Sequence, residues 1–182
     1  MSRGTRVAVG DDGRPVGRDA SLVRLLADYQ EAVVRSPHLD PVLTELVRLR
    51  CARQHDCRIC QTLRLADAVR AGADDELTAQ IDHYEDSDLD ERHKVALRIV
   101  DAFIWRPSEI SDELVRQAHQ HFTDEELAEL LVDITKWSTQ KIHVTLGTDG
   151  ADRLDVNDQG VAYFSFGDDG RVTTIGADLL SG

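Results

Sequence analysis

Cys57 and Cys60 bracket Arg58 and Ile59 in a Cys-x-x-Cys tetrapeptide, and Cys51 stands a short way before them. A pair with this spacing at the start of a helix has a definite chemical use. The free N–H groups and dipole of the first turn stabilise a thiolate at Cys57, and Cys60, three residues on, lies on the same face within disulfide reach. Such a pair can cycle between dithiol and disulfide. Zinc would need four ligands. Cys51, His55, Cys57 and Cys60 supply that number on paper, but Cys51 falls in the preceding apolar segment and no second Cys pair exists. Covalent haem attachment requires His directly after the second Cys, where Gln61 stands. No metal or cofactor is therefore expected. The competing bland reading is two inert, buried cysteines.

The thioredoxin fold, the usual host of this motif, needs a βαβ context that the surrounding pattern lacks. Glu45 precedes Cys57 by eleven intervening residues. Farther on come Ala71-Gly72-Ala73, a long apolar pattern from Glu91 to Trp105, Ser111-Asp112-Glu113-Leu114, His121-Phe122-Thr123, and a segment bearing Trp137 that closes at Leu146-Gly147. Over roughly residues 20–147 this text resembles the carboxymuconolactone decarboxylase superfamily, in its alkyl hydroperoxidase D (AhpD)-like branch. The resemblance implies an all-α bundle that assembles as a homo-oligomer, commonly a trimer or hexamer. It also implies a peroxidase chemistry. In that scheme Cys60 attacks a hydroperoxide and becomes sulfenic acid, Cys57 condenses with it to a disulfide, Glu45 belongs to the proton relay, and a dithiol reductant, which in this family can be a lipoyl-bearing protein, resets the pair.

The chain departs from the family pattern at one place. Four residues after Cys60, where the family has His, stands Arg64. Arginine cannot relay protons, yet its fixed charge lowers the pKa of a nearby thiol. On one continuous helix residues 57, 60 and 64 share a sector of about 60°, which would lean Arg64 over Cys60 with Glu45 pairing to it. His55, two residues before Cys57, is a candidate replacement acid/base. Two rival functions stand beside the peroxidase: a decarboxylase-branch enzyme acting on a lactone acid, and a catalytically degenerate assembly or binding module in which Arg64 marks lost catalysis.

The elements that must position these residues follow from periodicity. Apolar residues from Leu22 to Val33 recur at helical spacing after Asp19, and Asp40-Pro41 opens a second helix carrying Glu45. A third is expected from Cys57 through Ile59, Leu63, Ala66 and Val69 to Gly72, and a short fourth after Asp74. The pattern following Ser87 and ending before Pro107 reads as the central helix. Ser111 caps a short helix, and Thr123 with Glu126 forms a capping box before a last helix expected to run to Gly147. These make six to seven helices with no strand between residues 19 and 147, an AhpD-like helical domain.

Residues 161–175 carry apolar and β-branched runs on either side of Gly167-Asp168-Asp169-Gly170, which predicts a small β-hairpin within an acidic C-terminal extension over residues 148–182. Residues 1–18 form an N-terminal arm, with Val7 to Val9 either a strand joining that hairpin in one sheet or part of a mobile segment. The two Asp-Asp-Gly sequences lack the ligand spacing of a calcium loop.

Composition narrows the partners. The 182 residues hold 34 acidic and 21 basic side chains, a net charge of −13, which disfavours nucleic acid and anionic membrane. No run approaches a membrane span and Met1 to Gly10 lacks a secretory core, so a cytoplasmic protein acting on a hydroperoxide or other small-molecule substrate is expected.

Overall fold

Short polar side chains accept the first free N–H groups of most helices, and these caps set where the elements begin. In the computed structural model, which describes residues 4–11, 13–152, 154–167 and 172–175, Asp19 caps α1 (Ala20–Val34) and Asp40 caps α2 (Pro41–Gln54), with Pro41 at its first position. The segment expected as one cysteine helix is divided. It forms α3 (Arg58–Thr62), a three-residue strand β1 (Leu63–Leu65) and α4 (Ala66–Arg70). Asp74 caps α5 (Asp75–Ala79), which runs into a 3₁₀ turn at Gln80–Asp86. Then follow α6 (Glu91–Trp105), capped by Asp90, and α7 (Asp112–His121), capped by Ser111. The capping box of Thr123 and Glu126 opens α8 (Asp124–Ser138), and α9 (Lys141–Leu146) ends at Gly147. Among the described residues, seven expected helical segments become nine because two are divided, at Leu63–Leu65 and at Thr139-Gln140.

The central helix is α2, not α6. Nine of the 14 residues of α2 are buried, on every side of it, whereas α6 buries five of 15: Val95, Ala96, Leu97, Ile99 and Val100. Leu43, Val47 and Cys51 of α2 pack with Val95, Val100, Leu130, Ile134 and Trp137 in the main core. On another side Leu46 and Leu49 meet Ile81, Tyr84 and Leu97.

The C-terminal strands β2 (Ala162–Phe166) and β3 (Val172–Ile175) pair antiparallel, as the hairpin pattern predicts; the turn residues 168–171 lie outside the described residues. The hairpin is no separate extension, however. β2 also pairs in parallel with β1, in the register Leu63↔Ala162, Arg64↔Tyr163, Leu65↔Phe164, giving the order β1-β2-β3. Phe164 buries its ring against Leu65, Ala68 and Ala73. The strand inside the helical region was not visible in the sequence because Leu-Arg-Leu has ordinary helical propensity, and only the remote partner β2 offers it a ladder.

Among the described residues, the N-terminal arm makes no pairing with that sheet. Val9 bridges to Pro15 within the arm, and Arg6 N–H donates to the Leu146 carbonyl at 2.9 Å. The arm passes so close to Gly147, itself at φ +68°, that a Cβ there would lie 2.2 Å from the Gly4 carbonyl oxygen. Gly147 thus ends α9 and admits the arm. Among the described residues no helix is long and apolar enough to cross a membrane.

If the hairpin is part of the core, truncating its anchor must be costly. Phe164→Ala is expected to lower unfolding stability by about 3–5 kcal/mol, while Val172→Ala on exposed β3 stays within about 0.5 kcal/mol. Urea denaturation of the two variants separates them, and equal small effects would show that the hairpin packs loosely.

Candidate active site

Cys57 occupies the position before α3 and is joined to Cys60 by a disulfide, with the Cα atoms 5.3 Å apart. Cys57 is fully buried and Cys60 retains 7% of its surface. Both lie against Ala52, Ile59 and Val144. The donor groups expected to face a Cys57 thiolate are already in use. Buried Asp149, just past α9, accepts the Arg58 N–H at 3.3 Å and pairs with the Arg58 Nε and Nη2 at 3.1 and 3.0 Å, and its carbonyl takes the Ile59 N–H at 3.0 Å. These bonds, led by that of the Arg58 side chain, hold the Asp149 carboxyl below its ordinary value. The segment after α9 therefore caps the cysteine helix, a long-range contact with no local sequence signal.

Beneath this turn lies a buried ion pair. The Arg48 Nε and Nη2 donate to the two Glu45 carboxylate oxygens at 2.6 and 2.7 Å, both side chains being almost wholly inaccessible. Arg48 also donates from Nη1 to the Cys60 carbonyl at 2.8 Å and from Nη2 to the Leu63 carbonyl. Glu45 accepts the Leu65 N–H at 3.2 Å. The Phe164 ring sits over the guanidinium, 5.5 Å from Cζ. One pair on α2 thus holds α3, β1 and β2. Glu45 thus contacts the cysteine segment at the Leu65 N–H, and its charge partner is Arg48, one turn on in the same helix.

Arg64 departs most from expectation. Because the chain leaves the helix at Leu63, residue 64 falls out of the sector of Cys57 and Cys60 and its side chain turns elsewhere. Its Nη1 donates to the Gln61 and Leu63 carbonyls at 2.6 and 3.0 Å, and its Nε lies 3.8 Å from the Asp75 carboxylate. It makes no pair with Glu45. Burial, reinforced by the Arg48 cation, pushes the guanidinium below its ordinary value.

His55 ends α2, half-buried, with neither ring nitrogen bonded to any group among the described residues. Burial, with the Lys141 cation, lowers its pKa to about 4, so it is neutral at pH 7 and a weak base there. Cys51 is fully buried within α2, and burial pushes its thiol well above the ordinary range, which makes it a core residue rather than a ligand or nucleophile.

A second polar group, missed in the sequence, sits where α8 faces α1 and α2. Asp133 is fully buried, accepts from the Thr44 hydroxyl at 3.4 Å, and leaves Oδ1 without a partner among the described residues. Burial raises its carboxyl to about 8. Lys136, 4% exposed, donates to the Gln30 side chain at 3.0 Å and lies 4.7 Å from the Trp137 ring; burial lowers its pKa to about 8. The signal was present: Asp and Lys stand within an otherwise apolar helical stripe that includes Leu130, Ile134 and Trp137.

Comparison with other proteins places this geometry in context. Residues 20–101 match the sequence profile of the carboxymuconolactone decarboxylase family. Two uncharacterised proteins of Mycobacterium tuberculosis, from strains CDC 1551 / Oshkosh and ATCC 25618 / H37Rv, are each 41% identical over 144 residues, 79% of this chain and 49% of theirs. The chain thus spans about half the length of these curated relatives. Among solved structures, a protein of unknown function from Agrobacterium tumefaciens, likened to the antioxidant defence protein AhpD, superposes with a TM-score of 0.63 at 19% identity, over 70% of this chain and 89% of that one. An uncharacterised peroxidase-related protein from Ralstonia eutropha JMP134, with an alkylhydroperoxidase AhpD core, gives 0.62 at 16% identity, over 77% and 73%. The debrominase Bmp8 in complex with 2,3,4-tribromopyrrole gives 0.61 at 13% identity, over 71% of each chain. At these identities the likeness is one of fold.

Asp133 carries a measurable pH signature. Its folded pKa near 8 exceeds the ordinary 3.8, so the folded chain holds a proton that the unfolded chain loses, and stability falls as pH rises from about 4 toward 8. Thermal melts of the parent and of Asp133→Asn should diverge between pH 5 and pH 8 by roughly 10 °C in favour of the variant. A Tm difference independent of pH would mean that Asp133 titrates as an exposed carboxylate.

Proposed function

We propose that the chain, whose residues 20–101 match the carboxymuconolactone decarboxylase family and whose fold is AhpD-like, is a member of that superfamily and a thiol–disulfide oxidoreductase that reduces hydroperoxides through Cys57 and Cys60. The observation that carries this reading is the Cys57–Cys60 disulfide, with Cys60 the more accessible sulfur and its own carbonyl held by Arg48. In the reduced protein the Cys60 thiolate attacks the hydroperoxide, breaking the O–O bond. One oxygen is retained as Cys60 sulfenic acid, and the other leaves, after protonation, as the alcohol. The Cys57 thiol then displaces water from the sulfenic acid to form the disulfide. A dithiol donor, such as a dihydrolipoyl group on a partner protein, returns two electrons and two protons and departs as its own disulfide.

The neighbouring groups bear on this scheme. Arg48 fixes the cysteine segment through the Cys60 carbonyl, and Glu45 acts as a positioning residue by holding Arg48. His55, two residues from Cys57, is neutral at pH 7 and so has no proton to give the leaving oxygen, which leaves water to supply it in place of the family histidine. The cytoplasm, where dithiol donors stay reduced, suits the cycle. The working unit is a homo-oligomer, a trimer or hexamer. Leu22, Leu25 and Leu26 on α1 are 61, 60 and 40% exposed and form the kind of apolar stripe that subunits cover.

Two measurements test these proposals. After reduction, one equivalent of cumene hydroperoxide should remove two hydrogens from the peptide holding both cysteines. Cys60→Ser should consume no peroxide, and Cys57→Ser should stop at a sulfenic acid that a dimedone probe traps; a reduced pair left unchanged by peroxide overturns the activity. Light scattering should give a multiple of 20.3 kDa, reduced toward the monomer by Leu22→Asp with Leu25→Asp. A monomeric parent overturns the assembly.

A further inference from the structure

On the face of α3 away from Cys60, three arginines converge on one open cavity of about 480 Å³. Arg53, Arg58, Gln61, Arg64, Asp82 and Gly160 are among its lining residues. By the ~100° step of a helix, Gln61 and Thr62 lie near Arg58, whereas Cys60 points about 200° from it, so the cavity is distinct from the sulfur site.

Each arginine is only partly used. Arg64 is 8% exposed; it spends Nη1 on two backbone carbonyls, its Nε has no hydrogen-bond acceptor, and its Nη2 meets none among the described residues. Arg53 bonds Asp82 through Nε at 2.8 Å and leaves both Nη groups without an acceptor there. Arg58 gives Nε and Nη2 to Asp149 and keeps Nη1. Each guanidinium faces one carboxylate, Arg53 that of Asp82, Arg58 that of Asp149 and Arg64 that of Asp75 at 3.8 Å, but of these only Asp82 is in the lining.

The wall opposite α3 is built rather than loose. Asn157 Oδ1 accepts the N–H groups of Gln159 and Val161 at 3.0 and 2.9 Å, and Gly160 turns the chain at φ +75°. A nearly buried guanidinium with unmet donors costs free energy unless an acceptor reaches it, and planar N–H pairs match oxyanions best.

We propose that this cavity is an oxyanion site that takes a phosphate or carboxylate group, with Arg64 as its floor and Arg53 and Arg58 as its sides. Arg64 thereby has a use that does not involve the thiol. Being a matter of equilibrium binding, the proposal stands apart from the redox reading and fails separately from it.

Isothermal titration at constant ionic strength, with inorganic phosphate, phenyl phosphate, acetate and benzoate as probes, tests the site. Saturable binding of at least one probe is expected, weakened by about tenfold or more in Arg64→Gln. Arg53→Gln, at a more exposed position, should weaken it in the same sense and guards against misfolding of the Arg64 variant. Equal binding of the inorganic and phenyl phosphates identifies the free anion as sufficient. Tighter binding of phenyl phosphate or benzoate identifies the terminal group of an organic molecule. No saturable binding of any probe up to about 10 mM, or binding unchanged in both variants, overturns the proposal.

Discussion

The ion pair between Glu45 and Arg48 is the constraint on which the site depends. Taking two charges out of water is expensive, and the mutual attraction offsets that cost only when the remaining hydrogen-bonding groups are also met. Here they are met by the backbone around the disulfide: the Cys60 and Leu63 carbonyls accept from Arg48, and the Leu65 N–H donates to Glu45. The segment from Cys60 to Leu65 cannot shift without stranding a buried charge. That coupling explains why the cysteine helix stops after five residues and continues as a strand. Its carbonyl and N–H groups are committed to α2 and to β2 instead of to a next helical turn.

The same pair gives the C-terminal hairpin its place. Phe164 covers the guanidinium face on one side and fills the pocket of Leu65, Ala68 and Ala73 on the other, so β2 seals water from the ion pair and strengthens it by lowering the local dielectric. Asp149 performs the corresponding task at the start of α3. Chain regions that look peripheral by composition, being rich in Asp and Gly, therefore contact the cysteine segment from two directions.

Charge is distributed unevenly through the molecule. A chain that is acidic overall buries three bases, Arg48, Arg64 and Lys136, and three acids, Glu45, Asp133 and Asp149, of which Asp133 is held protonated at neutral pH. An interior with surplus positive charge favours anions, whether a cysteine thiolate on one side of α3 or an external oxyanion on the other.

The local text of the sequence determined the helix starts, the helical nature of residues 20–147, the hairpin over 161–175 and the position of the cysteine pair, because caps, apolar periodicity and turn residues act over a few neighbouring positions. What the sequence did not disclose were the contacts made across the chain. Arg64 looked like a neighbour of Cys60 only so long as residues 57–72 were one helix, and that depended on whether a strand a hundred residues later would pair with Leu63–Leu65. Arg48 carried no local signal, since its five acceptors and covers come from α2, α3, β1 and β2 together. Only the tertiary structure decided these, because a buried charge is placed by whichever distant groups satisfy it, and propensity carries no record of them.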